Sequence, residues 1–279
     1  MREGEVVKST LNGPITVESL VEDFQALGVK PGLTLLVHSS LSALGWVCGG
    51  PVAVILALEE ALGTDGTLVM PTHSGDLSEP SLWENPPVPE DWWATIRETM
   101  PAYDPDLTPT RKIGAIAECF RKQPSVLRSN HPQFSFAAWG AERERVTGGH
   151  SLDYGMGEYS PLARVYDLQG WVLLLGVDHS NNSSLHLAEY RAEYAGKSKT
   201  RNGAPFMVNG RREWAEFDDI DLNESDFEEI GAEFARATGL VRRGKVGGAD
   251  AILFPQRELL DFAIRWMEEN RFVKEEIEG

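Results

Sequence analysis

The sequence is poor in cysteine, in long apolar runs and in positive charge. Its two cysteines, Cys48 and Cys119, cannot supply a disulfide framework or a paired-cysteine zinc site. The longest apolar run, residues 171–176, is far shorter than a membrane span, and the polar N-terminus lacks the apolar core of a signal peptide. We therefore expect a cytoplasmic protein that is neither exported nor inserted in a membrane.

The charge balance excludes another group of partners. The chain carries 26 Lys and Arg against 43 Asp and Glu, a formal net charge of −17. Nucleic acids and anionic membranes are polyanions that bind proteins through clustered Lys and Arg, so neither is an expected partner. Ten carboxylates and no basic residue fall in residues 213–233. Such a run is either a solvated face or a cleft wall that attracts a polycation, and an amine-rich small molecule is the partner that it favours.

Several catalytic motifs are also absent. Neither G-x-x-x-x-G-K-[ST] nor G-x-G-x-x-G occurs, so the sequence lacks the motifs that usually indicate a binding site for nucleoside triphosphates or dinucleotides. No G-x-S-x-G elbow is present to activate a serine. Cys48 lies in a glycine-rich loop, where it could be a thiolate or a small packing residue.

The apolar patterning predicts an α/β fold. A length of 279 residues, 42% hydrophobic and 25% charged, suits one domain over 1–279. We predict a mixed β-sheet sandwiched by helices. The predicted strands are residues 34–37, 67–70, 134–139, 171–176 and 251–254. The predicted helices are residues 17–27, 51–62, 114–120, 185–194, 227–238 and 256–270.

Residues 75–110 differ from the rest of the chain. This stretch contains seven prolines together with Trp83, Trp92 and Trp93. A loop of this length inside a compact domain is usually functional, and an ordered one needs its own aromatic packing. We therefore predict an inserted lid. One option is that this lid forms a small subdomain.

Polar clusters follow three predicted strands: His38-Ser39-Ser40, Thr72-His73-Ser74 and residues 178–184. In open α/β sheets, ligands bind outside the carboxyl ends of the strands, so these clusters mark a candidate site. The plainer alternative is that these residues only end strands and cap helices.

His186 is the candidate general base. It begins a predicted helix, and Glu189 lies three positions on, hence on the same face. A neutral imidazole can accept a proton at neutral pH, especially if a carboxylate holds its second ring nitrogen. The alternatives are a structural core histidine, or a metal site completed by His73, His150 and His179.

Ordered sequence blocks resemble the antibiotic-type aminoglycoside 3-N-acetyltransferases, which are distinct from the Gcn5-related acetyltransferases. The matching blocks are VHSSLS (37–42), Gly49-Gly50, GTLVMPTHS (66–74), RSNHP (128–132), SPLAR (160–164), LLLG (173–176) and SLHLAE (184–189). The resemblance implies transfer of an acetyl group from acetyl-CoA to the 3-amino group of a 2-deoxystreptamine aminoglycoside. It also implies direct attack, without a metal and without a covalent enzyme intermediate.

The resemblance carries roles onto particular residues. His186 would be the base, oriented by Asp221 in preference to Asp219, and Ser183 would contact the acetyl carbonyl in place of the family's threonine. Aminoglycoside contacts are expected from Glu189, Asp219, Asp178 and Trp83. Acetyl-CoA contacts are expected from His38, Ser39, Ser40, Leu41, Ser42, Val47, Gly49, Gly50, Thr72 and Ser74. A cationic aminoglycoside is the expected partner. A homodimer is one option for the oligomeric state.

Three alternatives remain open from the sequence. One is an acetyltransferase of the same fold that acts on a different amine, because the lid sequence does not reveal specificity. Another is a catalytically silent amine-binding protein. The third is a metal-dependent hydrolase built on the scattered histidines.

Overall fold

The computed structural model describes residues 4, 7, 10 and 13–271. The helices are α1 Val17–Leu27, α2 Leu41–Leu44, α3 Gly50–Leu62, α4 Trp93–Thr99, α5 Ala115–Phe120, α6 Arg143–Thr147, α7 Pro161–Asp167, α8 Ser184–Arg191, α9 Phe227–Thr238 and α10 Gln256–Asn270. The strands are β1 Thr34–Ser39, β2 Thr67–Pro71, β3 Leu127–Arg128, β4 Phe136–Gly140, β5 Trp171–Leu175, β6 Lys199–Val208, β7 Arg211–Ile220, β8 Arg242–Val246 and β9 Ala249–Pro255. No helix among the described residues is long and apolar enough to cross a membrane.

Seven strands form one mixed sheet in the order β3-β4-β2-β1-β5-β9-β8. The central strands β2, β1 and β5 are parallel, and the strands on both flanks run antiparallel to their neighbours. Strands β6 and β7 form a separate two-stranded hairpin. The predicted mixed sheet is thus confirmed, and its parallel centre is what aligns the carboxyl ends of β1, β2 and β5 at one edge.

Alternate residues of the central strands pack into two cores, one on each face of the sheet. Leu35 and Leu173 join helices α1, α3 and α5 in the first core. Leu36 and Val172 join helices α6 to α10 in the second. Strands buried on both faces read as continuous apolar runs, which explains why they were recognisable in the sequence. The predicted sandwich of helices around the sheet is confirmed.

Helix α1 shows how closely local signals can fix an element. Thr16 caps it, and the Thr16 and Ser19 side chains exchange hydrogen bonds with each other's backbone amides. At the other end, Gly28 takes the left-handed conformation, with φ of 113°, that closes a helix. The predicted bounds, residues 17–27, match the structure.

The hairpin was missed because its pattern is weak. Only residues 203–205 are buried in β6, so apolar and polar residues do not alternate along it. The acidic run of residues 213–233 covers most of β7 and the first half of α9, so it is not one surface. Helices α6 and α7 were also missed, because at five and seven residues they are too short for a helical period to show.

The proline-rich segment packs on the hairpin. It contains α4 and two short 3-10 turns, Pro80–Leu82 and Glu90–Trp92. The Tyr103 amide donates to the Pro205 carbonyl at 3.0 Å, and Arg212 Nε donates to the Met100 carbonyl at 3.1 Å.

The helix after β5 is shorter than predicted: α8 spans Ser184–Arg191 and not residues 185–194.

Candidate active site

A groove of about 600 Å³ runs along the polar cluster that follows β1, and we call it the serine groove. The turn from α2 into α3 forms one wall, and Gly49 and Gly50 shape it with φ of 92° and 57°. Lys112 is the only charged residue among the described residues that line the groove. Of the residues predicted to bind acetyl-CoA, the groove is lined by Ser39, Ser40, Leu41, Ser42, Val47 and Gly50.

A smaller space of about 170 Å³ adjoins the serine groove, and we call it the histidine cavity. The two share lining residues, among them Ser39, Lys112 and Asn181, so they are continuous. His38, His73 and Ser183 line the cavity, at the ends of β1 and β2 and just before α8. These side chains come together because β1, β2 and β5 are parallel and end at the same edge of the sheet.

Thr72 and Ser74 lie at the same edge but face inward. Thr72 is buried, and its hydroxyl and carbonyl contact Ser135 and Arg128. The Ser74 hydroxyl donates to the Pro132 carbonyl at 2.7 Å. Both side chains therefore hold the loop after β2 rather than line the serine groove.

His186 and Glu189 form a close hydrogen-bonded pair. Glu189 Oε2 lies 2.6 Å from His186 Nδ1, and His186 retains 15% of its side-chain surface. The Glu189 carboxylate is fully buried and acts as acceptor, so the imidazole proton lies on Nδ1 and the lone pair on Nε2. Within the described chain, Nε2 makes no hydrogen bond. An imidazole held in this way can accept a proton at Nε2.

The other Glu189 oxygen is engaged as well. Glu189 Oε1 accepts from Arg271 Nη1 at 2.7 Å and from the Asn223 amide at 3.0 Å. Arg271 also pairs with Asp226 at 2.7 Å. These contacts put Glu189 behind His186, where it orients the ring, and leave it no free oxygen for the aminoglycoside contact expected from the sequence.

The two aspartates considered as partners of His186 lie differently. Asp219 is 3% exposed, accepts hydrogen bonds from the Tyr190 hydroxyl and the Ile220 amide, and has its pKa raised by burial. Asp221 is exposed, and its amide donates to the Ser198 carbonyl. No hydrogen bond or ion pair joins Asp221 to His186 among residues 13–271. The carboxylate in contact with the imidazole is that of Glu189.

Among the described residues, no hydrogen bond or ion pair joins Asp178 or Trp83 to His186. The exposed Asp178 carboxylate accepts from Ser180 and Asn181 and caps the 3-10 turn His179–Asn181. Its pKa is lowered by the hydrogen bond from the Ser180 side chain. Trp83 donates to the Ser78 hydroxyl at 2.8 Å and lines a space of about 270 Å³ among residues 75–111.

A third space, of about 720 Å³, was not foreseen from the sequence, and we call it the tyrosine pocket. Four tyrosines, three carboxylates and two lysines are among the residues that line it: Tyr154, Tyr159, Tyr190, Tyr194, Asp153, Glu158, Glu193, Lys197 and Lys199. Along α8, His186 lies between Ser183 of the histidine cavity and Tyr190 of the tyrosine pocket. The missed signal was the LDYGMGEY segment (152–159), whose carboxylates and tyrosines alternate within eight residues.

A metal site has no support in the described part of the chain, where no group of three or more His, Cys, Asp or Glu side chains could hold an ion. The histidines considered as ligands are used otherwise. His150 contacts Ser129 at 2.9 Å and the Gly155 carbonyl at 2.6 Å, and His179 stacks on Phe254.

Comparison with known proteins gives consistent matches over nearly the whole chain. Residues 36–268 match the family model of the aminoglycoside 3-N-acetyltransferases. The SPbeta prophage-derived aminoglycoside N(3′)-acetyltransferase-like protein YokD of Bacillus subtilis is 48% identical, over 95% of this chain and 97% of its own. Aminoglycoside N(3)-acetyltransferase VII of Streptomyces paromomycinus is 38% identical, over 92% of this chain and 93% of its own.

Solved structures agree with this assignment. The crystal structure of YokD superposes with a TM-score of 0.93, at 47% identity over 96% of this chain and 98% of that one. AAC-IIIb in its binary complex with CoASH gives 0.84, at 32% identity over 94% and 99%. AAC-VIa bound to sisomicin gives 0.83, at 30% identity over 94% and 100%.

Proposed function

Because the chain belongs to the aminoglycoside 3-N-acetyltransferase family, we propose that it transfers the acetyl group of acetyl-CoA to the 3-amino group of a 2-deoxystreptamine aminoglycoside. The observation that carries this proposal is the 2.6 Å contact between His186 Nδ1 and Glu189 Oε2, on a helix that adjoins both the histidine cavity and the tyrosine pocket.

His186 acts as the general base in this reaction. The attacking nitrogen must be a neutral amine, and the proton that it loses as it bonds to the thioester carbon passes to the free Nε2 lone pair of His186. Glu189 fixes the ring orientation and stabilises the imidazolium that forms. The amine attacks the thioester directly, so no side chain needs to carry the acetyl group.

The serine groove is the site that we assign to acetyl-CoA. Its hydroxyls and backbone suit the polar pantetheine arm, and α3 begins at its wall, where free amides favour phosphate groups. Lys112 adds the one positive side chain among the described lining residues. The histidine cavity then receives the acetyl end, because it is continuous with the groove and too small for an aminoglycoside.

The tyrosine pocket is the site that we assign to the aminoglycoside. Carboxylates attract its ammonium groups, and tyrosine faces add cation–π contacts. The same carboxylates would raise the pKa of an amine that they touch, which opposes its deprotonation. We therefore assign Asp153 and Glu193 to the ammonium groups that do not react, and leave the reacting nitrogen to His186.

The test replaces His186 and separates turnover from binding. With acetyl-CoA and gentamicin, thiol release by His186→Ala should fall about 10²- to 10⁴-fold relative to the native chain. His186→Gln, which keeps an amide donor for Glu189 but has no base, should lose as much. Calorimetry should give unchanged affinities of both variants for each substrate. Retained turnover, or a parallel loss of gentamicin affinity, would contradict the role of His186.

A further inference from the structure

Two residues that line the histidine cavity each have a buried imidazole nitrogen without a hydrogen-bond partner. These nitrogens are Nε2 of His38 and Nε2 of His73, and the His38 residue is only 5% exposed. Buried polar atoms are nearly always paired, because an unpaired one loses its hydration without compensation. Because both residues line the same cavity, a ligand atom bound there is a candidate partner for both nitrogens.

Both imidazoles are neutral at any working pH. Burial lowers the pKa of His38 to about 3, and the electrostatic interactions with His186 and His179 add to the effect. Burial also lowers the pKa of His73 to about 3, and His38 and His186 add to the effect. A neutral imidazole with its proton on Nε2 is a hydrogen-bond donor, and the ligand atom that suits two such donors is a carbonyl oxygen.

The cavity has the size and the connection that an acetyl thioester needs. Its volume of about 170 Å³ is below the ~300 Å³ at which pockets for drug-sized ligands begin. It continues into the serine groove, so a pantetheine arm in the groove delivers its thioester to the cavity. Ser183 lines the same cavity and offers a hydroxyl beside the imidazoles.

We propose that the thioester carbonyl oxygen of acetyl-CoA accepts hydrogen bonds from Nε2–H of His38 and His73, which together form the oxyanion site of the transfer. This inference rests on the proposed function for its acceptor chemistry, and only on acetyl-CoA binding for its geometry.

The two donors act on one defined step. The amine nitrogen forms a bond to the carbonyl carbon, and the carbonyl π electrons move onto the oxygen held by His38 and His73. The amine proton passes to His186 Nε2. When the oxyanion collapses, the carbon–sulfur bond breaks, and the thiolate of coenzyme A receives the proton from His186. Donors aimed at the oxygen stabilise the charge that develops on it, without reorganising during the step.

The first readout needs no turnover. Acetyl-CoA labelled with ¹³C at the carbonyl is bound to the native chain without acceptor, and the carbonyl stretch is measured by isotope-edited infrared difference spectroscopy. We expect the stretch to move to lower frequency on binding. His38→Leu and His73→Leu should each reduce that shift, and His38→Gln, which restores an N–H donor, should recover part of it.

The second readout is kinetic. Each leucine variant should lower kcat about 10²- to 10³-fold, as for loss of one oxyanion donor, with little change in the KM for acetyl-CoA. His179→Leu is the matched control, because His179 also has a buried, unpaired Nε2 but packs against Gly231. Its carbonyl shift and kcat should stay native even if its melting temperature changes.

Three outcomes decide the inference. A carbonyl stretch in the native complex equal to that in water would overturn it, as would native shifts and native kcat in both leucine variants. A shifted carbonyl that depends on His38 and His73, in a protein that acetylates no aminoglycoside, would support the inference while contradicting the proposed acceptor.

Discussion

The serine groove and the tyrosine pocket differ in the residues that line them and in their charge. The groove is lined by hydroxyls and glycines and has Lys112 as the single charge among its described residues. The pocket is lined by tyrosines and three carboxylates, with Lys197 and Lys199 as its two positive side chains. One suits the anionic phosphates of coenzyme A and the other suits a polycation. The contrast explains how a chain with a net charge of −17 can use a donor that is itself negative.

The largest effect is expected from Glu189, the carboxylate that contacts His186. Glu189→Gln removes the charge that orients and stabilises the imidazole, so kcat should fall about 10²- to 10⁴-fold in the thiol-release assay. Asp226→Asn is the matched control, because it weakens Arg271 without touching His186. Asp221→Asn tests the alternative from the sequence.

These variants separate orientation from stability. Asp226→Asn should lower the melting temperature and keep kcat, and the exposed Asp221→Asn should keep both. If Asp221→Asn damages kcat as much as Glu189→Gln does, Asp221 and not Glu189 is the partner of the base.

The next effect should be confined to the donor side. Lys112 has φ of 57°, a left-handed conformation that is uncommon and costly outside glycine, and it makes no ion pair in the described chain. Lys112→Met should raise the KM for acetyl-CoA about 5- to 30-fold by removing one charge contact to phosphate. The effect should vanish with acetyl-pantetheine, which has no phosphates. An equal loss with both donors would contradict a phosphate contact.

A smaller effect should be confined to the acceptor side. Asp153→Asn removes one carboxylate from the tyrosine pocket, so the KM for gentamicin should rise about 2- to 5-fold, as for a partly solvated ion pair. The rise should shrink at high salt, and the KM for acetyl-CoA should not change. A change in both KM values would show that the two sites do not divide the substrates as assigned.

The sequence predicted the two sites unequally. The serine groove follows β1 directly, so its polar cluster and glycines could be read from residues 38–50 alone. The tyrosine pocket draws on three segments that are separate in the sequence, residues 151–159, residues 190–199 and Ile220. Its carboxylates, Asp153, Glu158 and Glu193, belong to two of these segments, so their convergence could not be read from local patterning.

For the candidate base, too, the sequence predicted the local contact and not the distant ones. His186 and Glu189 were recognised as neighbours because i, i+3 spacing on a helix is local. The partners of Glu189, Arg271 and Asn223, come from elsewhere in the chain, so its exclusion from the substrate site could not be foreseen. His38 and His73 are 35 residues apart, and only the parallel pairing of β1 with β2 brings them into one cavity.

The smallest effect concerns the support of the tyrosine pocket. His150 holds the loop that carries Tyr154, and burial lowers the pKa of His150 to about 4 from 6.5. Between these values the unfolded chain binds a proton that the folded chain does not. The His150 contribution to stability is therefore complete above about pH 6.5 and is lost as the pH falls toward 4. His150→Gln should melt below the native chain at pH 7.5, and the gap should narrow at pH 4.5. A difference in melting temperature that widens in acid would contradict this pH dependence.

The most direct measurement mixes the purified chain with acetyl-CoA and a panel of 2-deoxystreptamine aminoglycosides, follows free thiol, and locates the acetyl group in the product by mass spectrometry and NMR. The account predicts thiol release that requires the aminoglycoside, and a product acetylated on the 3-amino group. Absence of thiol release across the panel, despite acetyl-CoA binding, or acetylation at another amine, would contradict it.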